Sequence, residues 1–145
     1  LIEWDYLNQP NGHRPVTLVL AKKRTTESIK EALFDGRTVI WYKNDLIGLE
    51  KNLVPVIKST LEIVDVTFKG RTIGTVKVKN ISNVRYMLRV VDGQFIEDSS
   101  NIIFIEPNDT SSFEVKYAKG KKISLEVEVL NAYIKPKIHP VITLN

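Results

Sequence analysis

The chain has 145 residues, of which 43% are hydrophobic and 26% charged, with a formal net charge of +4. This size and composition are typical of one globular domain, or of a small domain joined to part of another, and they exclude a disordered chain. The absence of cysteine excludes disulfides and thiolate metal sites, and the two histidines, His13 and His139, leave no histidine-rich metal site. No apolar run approaches the roughly 18 residues that a membrane span needs.

The positive charges are spread along the chain rather than gathered in one place. The tightest basic cluster is Lys22, Lys23 and Arg24, and a looser one holds Lys119, Lys121 and Lys122. Surfaces that bind nucleic acid usually carry a longer basic stripe with interleaved aromatic residues. We therefore predict that these residues lie in solvated turns and that the chain binds no nucleic acid.

The first residues of the chain are large and apolar, in the run LIEWDY. Natural termini are usually polar and loosely ordered. We therefore expect that more polypeptide precedes Leu1 in the natural protein, and that Trp4 and Tyr6 pack against it.

Residues 16–42 have the rhythm of a strand, a helix and a second strand. The nearly continuous apolar run 16–20 (VTLVL) is typical of a strand buried on both faces. Residues 38–42 (TVIWY) are rich in β-branched and aromatic side chains, which favours a second strand. A single β-α-β unit cannot bury its own faces, so we interpret it as the last unit of a larger α/β fold.

The helix between these strands has recognisable ends. Thr25 or Thr26 can cap its first turn, and Gly36 suits the left-handed position that closes a helix. The spacing i, i+3, i+4 predicts one apolar face, formed by Ile29, Ala32 and Leu33.

A second, short helix is predicted over residues 46–53, ending before Pro55, which cannot continue the hydrogen-bond ladder. We place a domain boundary near Ser59, giving an N-terminal part of residues 1–59 and a C-terminal domain of residues 60–145. The two parts are expected to pack together through four apolar residues around this helix: Ile47, Leu49, Leu53 and Val54.

Residues 60–145 read as strands throughout. The run 123–129 (ISLEVEV) alternates apolar and polar residues without error, as a half-buried strand does. The same alternation recurs in residues 76–78, 84–90 and 113–117, and turn-forming pairs separate the runs: Lys69-Gly70, Asp92-Gly93, Asn108-Asp109 and Lys119-Gly120. Six or seven short strands at this spacing predict a small antiparallel sandwich of immunoglobulin-like type, without the Cys-Trp-Cys signature of true immunoglobulin domains.

Few residues of the β-rich part point to chemistry. Glu126 and Glu128 share a strand face, but that face is the polar one, which indicates solvation rather than an acid–base pair. Glu97 and Asp98 lie in a Ser- and Asn-rich loop that meets no calcium-binding spacing rule. His139, beside the last strand, is most simply a hydrogen-bonded surface residue.

The loop before the first strand is the better candidate site. His13 and Arg14 follow a Gly-, Pro- and Asn-rich stretch and lead directly into the predicted buried strand. Loops at strand ends of α/β folds often carry function, and an arginine can bind phosphate through its planar fork.

Three runs of the N-terminal part resemble the closing segment of PHP-domain proteins, the polymerase and histidinol phosphatase superfamily of metal-dependent phosphoesterases. These runs are residues 13–22 (HRPVTLVLAK), 24–33 (RTTESIKEAL) and 36–42 (GRTVIWY). They are most similar to the bacterial phosphodiesterase-like branch that carries a β-rich C-terminal extension. The resemblance implies an α+β chain, in which the β-α-β end of a PHP-type β/α barrel precedes an antiparallel immunoglobulin-like β-sandwich.

The resemblance also implies where the chemistry lies. The family holds two or three metal ions with His, Asp and Glu residues, and its last ligand motif, Asp-x-His, would precede Leu1. None of the ligand motifs is present here, so the resemblance implies no cofactor in this chain and Mn, Zn or Fe ions in a longer, exported parent. Trp4, Asp5, His13 and Arg14 would lie near the rim of that site.

Two functions follow as hypotheses. In the first, the chain is a non-catalytic C-terminal part of a metal-dependent phosphoesterase, and its partner is the upstream PHP domain of the same polypeptide. In the second, it is an independent module of an exported bacterial protein that binds carbohydrate or a cell-surface partner. A row of exposed aromatic residues would favour the second, but Tyr86, Phe113 and Tyr117 fall on apolar strand faces, which predicts that they belong to the core.

Overall fold

The computed structural model describes residues 14–91, 101–116 and 124–145. In chain order the elements of these residues are β1 (Val16–Val19), α1 (Thr26–Phe34), β2 (Thr38–Tyr42), β3 (Asp45–Ile47), α2 (Glu50–Thr60), β4 (Leu61–Lys69), β5 (Ile73–Asn80), β6 (Tyr86–Val90), β7 (Ile102–Ile105), β8 (Thr110–Lys116), β9 (Leu125–Val129), β10 (Ala132–Tyr133) and β11 (Val141–Leu144). Neither helix is long and apolar enough to cross a membrane.

Seven of the strands form the sandwich that the sequence predicts. One sheet has the order β11-β9-β6-β7 and the other the order β4-β5-β8, and every neighbouring pair is antiparallel. Their inward side chains form one hydrophobic core. Strand β9 shows why: Leu125, Val127 and Val129 are buried, whereas Glu126 between them is exposed. The predicted faces of this strand are confirmed.

The core of the sandwich is closed near the second helix by a tyrosine. Tyr86 is fully buried, and its hydroxyl lies 2.7 Å from Thr60 Oγ1, which in turn donates to the Ile57 carbonyl at 2.9 Å. Burial raises the pKa of the Tyr86 phenol above its usual value, and the hydrogen bond to Thr60 acts against this. The chain of hydrogen bonds satisfies a polar group that burial alone would penalise.

The N-terminal strands differ from the prediction of a β-α-β barrel unit. Strand β1 pairs antiparallel with β2, with Val16 opposite Trp41, whereas strands of β/α barrels are parallel. The pairing continues into the connection, where Leu20 N–H donates to the Arg37 carbonyl at 2.9 Å and the end of β1 lies beside the start of β2. Helix α1 is therefore an insertion in a long hairpin loop.

The ends of α1 agree with the sequence, but its apolar face does not. Thr25 caps the helix by accepting a hydrogen bond from Ser28 N–H at 3.3 Å, and Gly36 closes it at φ +64°. Ala32 is buried, but the predicted partners Ile29 and Leu33 are exposed. Strand β1 is also less buried than predicted, since Val16 and Thr17 are exposed.

The segment after β2 holds a second correction. The predicted helix over 46–53 is instead a strand, β3, followed by α2, which passes through Pro55 and ends at Thr60. Pro55 removes only the hydrogen bond to the carbonyl four residues earlier, so the other bonds of the helix remain. Because α2 begins at Glu50, Leu53 and Ile57 lie one turn apart on the same helix face, and both are buried in the core.

The N-terminal sheet is built into the sandwich rather than merely linked to it. Its order is β1-β2-β3-β10, so its last strand comes from the C-terminal end of the chain and pairs parallel with β3. Leu46 N–H donates to the Asn131 carbonyl at 2.9 Å, and Gly48 N–H to the Tyr133 carbonyl at 3.1 Å. Val39, Leu46 and Leu53 belong to the same core as the sandwich strands.

Two buried or half-buried asparagines fix this junction. Asn131 Nδ2 donates to the Asn44 carbonyl at 2.7 Å and to the Arg85 carbonyl at 3.0 Å, while its Oδ1 accepts from Met87 N–H at 3.0 Å. Asn44, in the β2–β3 turn, exchanges two further hydrogen bonds with the Arg85 backbone. The turn is thereby held against strand β6 of the sandwich.

Candidate functional site

A groove of about 740 Å³ lies on the outer face of the N-terminal sheet. Strands β2, β3 and β10 form its floor, and the residues after β10 form one side. Ile40 is paired with Ile47, and Ile47 is paired with Tyr133 across the parallel ladder, so the three residues stand side by side. Leu49 and Pro136 extend the apolar lining.

The alternation of the strands explains why apolar side chains line an open surface. Val39, Leu46 and Ala132 point to the core and are buried, so their neighbours in each strand point outward. At the centre of the sheet those neighbours are the paired Ile40, Ile47 and Tyr133, whereas the polar Thr38 and Asp45 begin strands β2 and β3. The sheet thus has two apolar faces, and only one is covered by the described residues.

The groove carries an uneven set of charges. Asp45, at the start of β3, contributes a carboxylate to the groove lining. Lys135 and Lys137, in the segment after β10, contribute two ammonium groups. Burial raises the pKa of Asp45 above its ordinary value, and the nearby positive charges of His139 and Lys43 act in the opposite direction. The groove therefore offers an apolar floor and a positive side, which suits an apolar surface bordered by acidic groups.

His139 contacts two residues of strand β10, Ala132 and Tyr133. Its Nδ1 lies 2.8 Å from the Ala132 carbonyl, which can only accept, so this nitrogen carries the proton. Its ring centroid is 4.8 Å from that of Tyr133. The interpretation of His139 as a hydrogen-bonded residue is confirmed, and its position fixes the tyrosine in the groove.

The raised pKa of Asp45 gives a testable pH dependence. The folded state binds this proton more tightly than the unfolded state, so Asp45 contributes most to stability at low pH and loses that contribution as pH rises through the folded pKa. Asn is neutral at every pH. We expect Asp45→Asn to gain stability relative to the natural chain between pH ~3 and pH ~6. Denaturant midpoints of both proteins across this range measure it, and a difference that stays flat or reverses would contradict the assignment.

Of the four residues predicted to lie at the rim of a phosphate site, the structure describes Arg14. Arg14 is exposed, two positions before β1. Trp4, Asp5 and His13 lie outside the described residues, as do Glu97 and Asp98. Their proposed roles remain predictions.

The described residues do not form a metal site. No three His, Cys, Asp or Glu side chains lie together in residues 14–91, 101–116 and 124–145. Glu126 is exposed, and Glu128 pairs with Arg89 at 3.4 Å, which agrees with a solvated strand face.

The aromatic residues assigned to the core from the sequence are buried where the structure describes them. Tyr86 and Phe113 are buried, as predicted, whereas Tyr117 lies outside the described residues. The exposed Phe34, Phe68 and Phe104 belong to three different elements, α1, β4 and β7.

The groove itself was missed from the sequence. The strand 38–42 is apolar on both faces, which is the pattern of a strand buried on both sides, and the described structure covers only one of them. The contribution of Tyr133 and Lys135 had no sequence signal, since it depends on a pairing of β10 with β3 across most of the chain.

Comparison with known proteins identifies the C-terminal part. A family model described as DUF5001, an Ig-like domain, matches residues 60–145. No functionally curated protein matches the chain.

One solved structure has the same fold over most of the chain. It is a two-domain protein from Bacteroides vulgatus ATCC 8482 that contains a predicted PHP-like metal-dependent phosphoesterase. The TM-score is 0.76 at 23% sequence identity, and the match covers 92% of this chain but only 39% of the solved one. The shared fold thus extends beyond the Ig-like domain, and this chain spans well under half of the protein that it resembles.

Proposed function

We propose that this chain, which belongs to the DUF5001 family of Ig-like domains through residues 60–145, is the C-terminal, non-catalytic part of a metal-dependent phosphoesterase. In this proposal the catalytic PHP-type domain precedes it in a longer parent polypeptide, and Mn, Zn or Fe ions bind there. The sandwich and its N-terminal sheet serve to hold and position that domain.

The observation that carries the proposal is the extent of the structural likeness. The match to the two-domain protein covers 92% of this chain, so it includes most of the N-terminal sheet as well as the sandwich. That sheet is inseparable from the sandwich here, because β10 completes it and Leu53 shares the sandwich core. A unit of this kind is suited to carry a neighbouring domain rigidly rather than through a loose linker.

Metal-dependent hydrolysis by two polypeptides tests the proposal. The 145-residue chain should not hydrolyse bis(p-nitrophenyl) phosphate or p-nitrophenyl phosphate with added Mn²⁺, Zn²⁺ or Fe²⁺, because such hydrolysis needs an ion held with an open position. The parent polypeptide should bind metal and cleave one of the two. Turnover by the short chain alone, or a parent that binds no metal, would refute the proposal.

A pair of arginine variants in the parent sharpens this test. Arg14→Ala should reduce kcat/KM more than Arg71→Ala, since Arg14 leads out of the loop proposed to border the site and Arg71 lies exposed in the β4–β5 turn. Equal kinetic effects would remove Arg14 from the proposed rim while leaving the identity of the hydrolase intact.

A further inference from the structure

The outer face of the N-terminal sheet is apolar and uncovered in the described structure. Ile40 is 44% exposed, Ile47 is 42% exposed and Leu49 is 57% exposed, and all three line the same groove. The opposite face of the same strands is buried, with Leu46 at 1%. Contiguous apolar surface of this kind marks an interaction site, whereas single exposed apolar residues do not.

The path of the polypeptide indicates what covers this face. Strand β1 is an edge strand of the same sheet, and 15 residues of the chain precede it. The first described residues, 14 and 15, lead directly into β1, so upstream polypeptide is joined to the molecule beside this sheet. In the similar two-domain protein, this chain corresponds to 39% of the length, so the larger part of such a polypeptide has to be accommodated beside it.

We propose that the groove is the seat of the domain that precedes this chain in the parent polypeptide, an inference that rests on the proposed function. The surface that docks there presents apolar side chains to Ile40, Ile47 and Leu49. It places carboxylates next to Lys135 and Lys137, which line the positive side of the groove.

The alternative of a second copy in the groove is disfavoured by charge. A twofold pairing brings the same surface of both copies together, so Lys135 and Lys137 of each copy would enter one interface. Like charges at close range repel, and the two copies together would set two Asp45 carboxylates against four ammonium groups.

Hydrogen exchange of the parent polypeptide tests the docking directly. Ile47→Lys puts a charge in the floor of the groove, whereas Val141→Lys makes the same change at a residue that is 52% exposed on strand β11. We expect Ile47→Lys to accelerate exchange of the backbone amides in residues 38–47 at least about tenfold, since they lose the protection given by the docked domain. Val141→Lys should leave those amides unchanged.

A second variant guards against local damage to β3. Leu49→Lys lies outside the strand, at the cap of α2, and should produce the same acceleration in residues 38–47. Unchanged exchange in both groove variants would overturn the proposal. Protection of these amides that varies with protein concentration would assign the groove to a second copy and would also overturn it.

The activity of the same samples separates this inference from the proposed function. A parent that hydrolyses phosphate esters while Ile47→Lys leaves exchange unchanged retains the function and loses the docking site. The opposite result is a parent that shows no metal-dependent hydrolysis but in which Ile47→Lys accelerates exchange of the amides of residues 38–47. That result supports the docking of an upstream domain and refutes the phosphoesterase assignment.

Discussion

Leu53→Ala and Leu125→Ala should each lower the free energy of unfolding by about 2–5 kcal/mol, and each variant should unfold in a single transition. Leu53 lies in helix α2 of the N-terminal part and Leu125 in strand β9 of the sandwich, and both are almost completely buried in one core. A cavity on either side therefore weakens the whole molecule. Urea denaturation followed by both fluorescence and circular dichroism measures the two effects.

The controls lie on the polar face of β9 and just before it. Ser124→Ala and Glu126→Ala alter exposed residues and should change the unfolding free energy by no more than about 0.5 kcal/mol. Two separate transitions, with Leu53→Ala moving only one of them, would show that the N-terminal sheet and the sandwich unfold independently. Equal losses in Leu125→Ala and Glu126→Ala would show that the faces of β9 are reversed.

Asn131→Ala should cost about 2–4 kcal/mol, which is large for the removal of one polar side chain. The variant leaves Met87 N–H and the Asn44 carbonyl without their side-chain partner at a buried junction. Chemical denaturation of the variant gives the loss. Asn83→Ala is the matched control, because its amide oxygen accepts from Asn108 on the exposed surface, at 2.8 Å.

The difference in unfolding free energy between the two asparagine variants shows whether Asn131 holds the junction. The control should stay within about 0.5 kcal/mol of the natural chain. If Asn131→Ala is equally mild, the parallel ladder and the shared core hold the N-terminal sheet in place without the asparagine. Lost protection of the β3 amides in Asn131→Ala alone would confirm that this side chain fastens the sheet.

The sandwich was predictable because its signals are local. In β9 the core residues Leu125 and Val127 are each followed by a glutamate, so the period of two assigns the face without knowledge of the partner strand. Turns such as Lys69-Gly70 were equally local, since Gly70 adopts φ +73°, a conformation that glycine favours. The prediction of an immunoglobulin-like sandwich is confirmed for these reasons.

The N-terminal part was harder because its structure depends on distant residues. Strand β1 pairs antiparallel with β2 across the inserted helix α1, and no sequence period encodes the direction of that pairing. The short segment around Leu46 has apolar residues compatible with either a helix or a strand. It becomes a strand because it pairs with β2 on one side and with residues 132 and 133 on the other.

The pairing of β3 with β10 means that the N-terminal sheet cannot be completed until residues 132 and 133 have been synthesised. Asn131 and Asn44 meet although 87 residues separate them in sequence, and closing so long a loop is a slow event compared with forming a helix or a hairpin. While a ribosome is still adding the last strands, β3 has no neighbour on one side, and an unpaired strand edge invites association with other chains. A chain that ends before residue 131 should therefore be more prone to aggregate than the finished one, even though it contains six of the seven sandwich strands.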